Sequence, residues 1–202
     1  MARQYAKTAE VRRTILEACI STFGESGFHG ASMAEIARRA GISHTGLLHH
    51  FPSKDELLTA VLALQDDRSG EYLADHAAAG PNGDPLSVLR GMVTILLDQE
   101  RQAGLVELNA VLTAEATAPG HPAHEYFTER YRDVRRFLTR LFDELRERGQ
   151  LASDQDSPVL ASMTIAVMEG LQTQWLYDRA AIDVDATVAA YLRSLVPDVD
   201  EG

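Results

Sequence analysis

The chain has 202 residues, 45% apolar and 24% charged, an ordinary balance for a soluble globular protein with one or two small cored domains. Its formal net charge of −11 argues, taken over the whole chain, against a nucleic-acid partner. The longest nearly apolar run, Val159 to Met168, is too short to cross a bilayer, and M-A-R-Q-Y-A-K-T-A-E at the start has no signal-type apolar stretch, so a cytoplasmic protein is expected.

The pattern is helical from end to end, with no strand alternation, repeat or low-complexity segment. A first helix runs from about Thr8 to Glu25. Val11, Ile15, Ala18 and Thr22 form one stripe, with Leu16, Cys19, Ile20 and Phe23 beside it. Cys19 is the only cysteine, so no intrachain disulfide is possible, and it fits the stripe as a small buried hydrophobe. Ser32 with Glu35 forms a capping box for a second helix, whose Ile36, Ala37 and Ala40 make a small packing face. Gly41 supplies a left-handed end, Ile42 plugs the turn, and Ser43 caps a third helix running to about His50. Pro52 stops it, and Ser53 with Glu56 opens a fourth, from Lys54 to about Asp75.

A Gly/Pro loop, A-A-A-G-P-N-G-D-P at 77–85, follows, and the domain boundary is set at residues 65/66, before it. Helices are expected from Pro85 to about Arg101 and from Leu105 to Ala118, then a break at P-G-H-P, 119–122. From Pro122 a long helix carries Phe127, Tyr131, Val134, Leu138, Leu141 and Leu145 on one stripe and ends at Gly149. Ser157-Pro158 opens another as N-cap and first residue, ending near Tyr177 to Arg179. Asp183 caps the last, with Val184, Val188, Tyr191, Leu192 and Leu195 on one side. Pro197 follows, and the remaining residues are expected to fray.

Residues 32–54 therefore read as two short helices on a Gly-containing turn with a third starting behind them, a helix-turn-helix whose second helix suits the DNA major groove. Charge supports this. Residues 1–60 carry seven Lys or Arg against six Asp or Glu, a net +1, and four of the seven His; the remainder carries −12. A DNA-reading head on an acidic body gives such a split, and so does an acidic solvated surface with no role.

The ordered set Ile15-Leu16-x-Ala18, Phe23-x-x-x-Gly27, Ile36-Ala37, Ala40-Gly41-Ile42-Ser43, Leu47, His50-Phe51-x-x-Lys54 and Leu57-Leu58 resembles the DNA-binding domain of the TetR-type transcriptional regulators. The likeness covers about the first third of the chain. One position departs: where the family usually has a Tyr that contacts the DNA backbone, this chain has Leu48, so that contact does not carry over. The fold class expected is all-α, with a three-helix DNA-binding domain at 1–65 and a helical ligand-binding and dimerisation domain at 66–202.

His44, Thr45, Gly46, Leu48 and His49 lie near the start of the recognition helix and are the candidates to face the groove. Gly46 lets the backbone approach, and Thr45 or Leu48 suits a thymine methyl. The resemblance implies phosphate contacts at His50 and Lys54. Ser32 and Ser43 add hydroxyl or backbone contacts. Arg12, Arg13, Arg38 and Arg39 are candidates for the backbone, although a run of charge of this kind is more often a solvated face.

The helix from Ser157 is apolar nearly all round, with a small-residue strip at Ser162, Ala166 and Gly170. It reads as the centre of a monomeric bundle or as a helix shared with a partner. The resemblance implies the second, a homodimer held by the last two helices, where Val188 and Leu192 join the strip. It also implies a ligand cavity in the second domain. Met92, Glu115, Tyr126, Tyr131, Met163, Gln172 and Trp175, a mixed apolar and polar set, are its candidate lining.

No metal or cofactor is expected. His44, His49 and His50 lack i,i+4 spacing, and His121, His124 and Glu125 read as an acid-rich first turn. G-x-S-x-G, P-loop, dinucleotide and H-E-x-x-H motifs are absent, so an enzyme is not expected. The expected function is a transcriptional regulator, a repressor, binding a palindromic double-stranded DNA operator as a homodimer and released by a small-molecule ligand. The alternatives are a DNA-binding regulator without a ligand, and a helical small-molecule-binding protein or enzyme with a vestigial head.

Overall fold

The computed structural model describes residues 2–77, 84–89, 91 and 103–197, and in them every regular element is a helix. These are α1 (Ala2–Gly30), α2 (Met33–Arg39), α3 (His44–His50), α4 (Lys54–Ala77), α5 (Ala103–Glu115), α6 (His124–Glu147), α7 (Ser157–Tyr177) and α8 (Val184–Leu195), with residues 85–89 also helical. Most of the loop expected at 77–85 and the tail after Pro197 lie outside the described residues, as does most of the helix expected from Pro85 to Arg101.

The chain divides into two compact units. The first holds residues 1–68 and 103–127, the second 69–102 and 128–202. By packing, the first unit runs to residue 68, beside the boundary expected at 65/66, and α5 packs within that unit. Packing is the reason. Gly24 gives α1 a bare patch where a Cβ would stand 3.4 Å from the Leu108 backbone nitrogen, so α5 lies close along α1. Leu108 and Leu112 of α5 are fully buried, as are Ile15, Cys19 and Phe23 of α1. Each such side chain contributes roughly 1.5–3 kcal/mol relative to exposure.

α1 extends beyond the Glu25 expected from sequence. It breaks at Gly27, which has φ 69° and ψ 175°, and closes with one more turn to Gly30. α2 starts where Ser32 Oγ accepts from the Glu35 amide at 3.2 Å. Glu35's carboxylate does not return the bond expected of a capping box, because Arg38 and Arg39 hold it. Gly41, with φ 69°, ends α2, and the Ile42 amide reaches back to the Ala37 carbonyl at 3.0 Å.

In the second unit the stripe of α6 (Leu138, Leu141, Phe142, Leu145) is buried, as are Leu160, Ala161, Leu171 and Trp175 of α7 and Val184, Val188, Leu192 and Leu195 of α8. Asp156, not Ser157, is the N-cap of α7. Ser157 is buried instead, and its hydroxyl accepts from Arg146 Nη1 at 3.0 Å. Asp183 caps α8 as expected, accepting from the Ala186 amide at 2.8 Å. Thr164, buried on α7, meets the Tyr191 hydroxyl of α8 at 2.8 Å.

Candidate nucleic-acid interface

α3, the expected recognition helix, is a seven-residue helix with one buried side chain of its own. Leu47 is fully buried and Phe51, its C-cap, nearly so. This leaves His44, Thr45, Leu48 and His49 exposed, with Gly46 and His50 half-buried. Ser43 caps the helix, accepting from the Gly46 amide at 3.0 Å. A Cβ at Gly46 would lie 3.1 Å from that hydroxyl, so the glycine serves the cap as well as leaving the helix face low.

The Arg12 side chain fixes α3 at its C-terminal end. Arg12 Nη1 donates to the His50 carbonyl at 2.9 Å, and its guanidinium lies 4.2 Å from the centroid of the Phe51 ring. A cation at a helix C-terminus is favoured by the helix dipole, and stacking on the ring adds to this. Arg12 thus ties α1 to the recognition helix, a bond 38 residues long in sequence that no local pattern announces.

Lys54 also turns inward. Its Nζ donates to the carbonyls of Phe28 at 2.7 Å and Ala31 at 3.0 Å, and lies 4.5 Å from the Phe28 ring centroid. The ammonium expected on phosphate is committed to the last turn of α1. Arg39 is likewise held, by Glu25 at 2.6 Å and by Glu35 at 2.8 Å, and Arg38 pairs with Glu35 at 2.7 Å. Hydrogen bonds from Arg38 and Arg39 bring Glu35 down to about 2, and those from Arg39 and Ser21 lower Glu25. Arg13 faces Glu17 at 3.9 Å. The 35/38/39 spacing was legible as a same-face helical set; Glu25's part in it was not.

Two family models match the chain. Residues 15–61 match "Bacterial regulatory proteins, tetR family", and residues 85–197 match "BetI-type transcriptional repressor, C-terminal". The second alone covers more than half of the sequence. The chain belongs to the TetR family of transcriptional regulators. It is 26% identical over 204 residues to the transcriptional regulator AcrR of Shigella flexneri, covering 97% of this chain and 93% of that protein. Among solved structures, a transcriptional regulator from Saccharomonospora viridis in complex with choline superposes with a TM-score of 0.80 at 20% identity, over 93% of this chain and 98% of that one. AibR in complex with isovaleryl coenzyme A and operator DNA superposes with a TM-score of 0.72 at 23% identity, over 93% and 98%. All three likenesses run through both family-matched segments, so this TetR-family chain carries its DNA-binding helices on the fold of its relatives.

The remaining sequence candidates scatter. Met92 lies outside the described residues. Glu115 and Tyr126 belong to the first unit: Glu115 Oε2 accepts from the Phe28 amide at 2.6 Å and the Tyr126 hydroxyl donates to Asp66 at 2.7 Å. In the second unit Tyr131 hydrogen-bonds Glu169, Gln172 is half-buried, and Trp175 is buried beneath the Arg179 guanidinium. Met163 is 46% exposed and shares a stripe with exposed Val159, Ser162 and Ala166 and half-buried Gly170, which has open space over it. α7, apolar nearly all round in sequence, is therefore not buried on every side in the single chain. Val188 and Leu192 are buried in the protomer's own core, which removes them from a partner's reach. Among the described residues, no helix is long and apolar enough to cross a membrane, and no three His, Cys, Asp or Glu are placed to hold a metal ion.

Proposed function

We propose that this regulator is a cytoplasmic, non-enzymatic repressor that binds a near-palindromic operator as a homodimer and is released by a small molecule. The observation that carries the DNA half is the exposed quartet His44, Thr45, Leu48 and His49 around a fully buried Leu47, on a helix fixed at both ends. These four read base edges, Gly46 admits the groove wall, and Ser32, Ser43 and the backbone near His50 meet phosphates. Two such helices need a spacing of about one DNA turn or a multiple of it, which a two-fold dimer supplies. The exposed α7 stripe from Val159 to Gly170 is the seam for that dimer.

The ligand half rests on the second unit, where Tyr131, Glu169, Gln172 and Trp175 combine aromatic surface with a carboxylate and an amide. That mixture suits a cationic or neutral compound better than an anion. The choline complex of the S. viridis relative makes choline a reasonable first probe. The test is selection from a random duplex pool, followed by anisotropy titration of the recovered site with and without choline and a panel of other small molecules. An inverted repeat weakened by at least one compound supports the reading. A recovered repeat that no compound weakens favours the ligand-free regulator, and no recovered sequence removes the DNA-binding role.

A further inference from the structure

Within the N-terminal unit, Glu115 makes a contact with α1 that spans 87 residues of sequence. Gly27 leaves helical angles, so the Phe28 amide turns out of the α1 ladder and heads a separate turn closed by the Ala31 amide on the Gly27 carbonyl at 3.2 Å. Such a turn begins with unsatisfied donors that a local side chain ordinarily caps. Here the cap comes from 87 residues away: Glu115 Oε2, at the end of α5, accepts from the Phe28 amide at 2.6 Å. The fit leaves no slack, since a Cβ on Gly27 would stand 2.7 Å from Glu115 Cδ and 2.9 Å from Oε2. Behind the carboxylate, His121 Nε2 is buried without a hydrogen-bond partner 3.8 Å from Oε2, while its Nδ1 accepts from the Ala123 amide at 3.1 Å.

The capped turn is also the platform for the DNA-reading helices. Lys54 binds the Phe28 and Ala31 carbonyls and stacks on the Phe28 ring. It is the first residue of α4, three positions after Phe51 closes α3. A continuous series of bonds therefore runs from α5 through Gly27–Phe28 and Lys54 to the recognition helix. It joins the segment matched by the C-terminal family model to the segment matched by the helix-turn-helix model.

We propose that Glu115 is a positioning residue for operator binding, its carboxylate clasping the Gly27–Phe28 elbow so that α4 and α3 stand in their DNA-reading orientation. This rests on the reading of α3 as the operator-reading helix. Glu115 touches no phosphate, so its removal weakens specific binding without altering the salt slope.

The test uses the full-length protein, the operator recovered by selection, and active fractions fixed by stoichiometric titration. Glu115→Ala is expected to weaken operator binding about tenfold per active protein, with an unchanged salt slope and unchanged affinity for random duplex. Glu115→Gln, which keeps an acceptor oxygen, recovers most of it. The Phe28 amide proton resonance moves upfield in Glu115→Ala and stays in Glu115→Gln. Gly27→Ala reproduces the loss in the wild-type background and costs less once Glu115 is already Ala. Should Glu115→Ala not fold, Glu115→Met keeps bulk, removes the acceptor and enters the same comparison. Wild-type operator affinity in the Ala or Met variant overturns the clasp alone, as does an equal loss in Gln, or a loss confined to the active fraction. A wild-type chain that selects no operator overturns the DNA-binding reading and the clasp with it, while the Phe28 resonance still reports whether the bond forms.

Discussion

The Lys54 ammonium and Phe28 meet twice, the Nζ donating to the Phe28 carbonyl at 2.7 Å and lying 4.5 Å from the ring centroid. Hydrogen bonds to a charged group contribute roughly 1.5–3 kcal/mol, and the cation–π contact adds about 0.5–1 kcal/mol. Lys54→Ala is therefore expected to lower the stability of the N-terminal unit by about 2 kcal/mol and to weaken the operator indirectly. The slope of log affinity against log salt should stay at its wild-type value. A slope reduced by about one per subunit would show that Lys54 holds a phosphate in the complex.

His44, Thr45 and His49 are exposed at the start of α3, the end proposed to enter the groove. Replacing any one with Ala is expected to change the consensus recovered from a random pool and to cost about 1–3 kcal/mol at one base position. An unchanged consensus with uniformly lower affinity reassigns these residues to the backbone.

The helix-turn-helix was legible because its determinants are local. Ser32, Gly41 and Ser43 act within four residues of themselves, and Leu47 and Ile36 are buried by short-range periodicity. The sides of α7 were not, because an all-round apolar sequence does not say which face a single protomer fills. Leu171 and Trp175 are buried while Met163 is not. The bond from the Phe28 amide to Glu115 was not legible either, for a related reason. A carboxylate among apolar residues suits a ligand cavity or a distant backbone amide equally well, and only the tertiary fold decides between them. The inward turn of Lys54 was hidden in the same way, its partners lying 23 to 26 residues upstream.

The α7 stripe gives a third prediction. Val159 is 44% and Met163 46% exposed, and nothing lies within 4 Å of a Cβ built on Gly170. Gly170→Arg thus has room in the isolated protomer and introduces a charge only into a two-chain seam, where it is unpaired and desolvated. The variant is expected to keep its helix content and melting cooperativity, to sediment as monomer, and to lose most operator affinity because one half-site binds weakly. A Gly170→Arg chain that still sediments as dimer would move the interface to another face.

His121 makes stability depend on pH in a predictable direction. Its side chain is buried, and desolvation lowers its pKa below the ordinary 6.5; Glu115 and Asp55 oppose this and His29 reinforces it. Glu115 comes from α5, His29 from α1 and Asp55 from α4, so every charged neighbour acting on the imidazole is on a packed helix. The neutral ring is the form that fits: Nδ1 accepts from the Ala123 amide, and a proton there would set two donors against each other. Between the lowered folded pKa and 6.5 the unfolded chain binds the proton that the folded chain refuses, so stability rises with pH in that window. Urea midpoints of the wild type are expected to fall as pH is taken from 7 to 5.5, and that component should vanish in His121→Phe, whatever the variant's absolute stability. A wild-type profile that parallels the variant's across this range would show that His121 titrates alike in the folded and unfolded chain, and one that rises toward low pH relative to the variant's would show an imidazolium paired with Glu115.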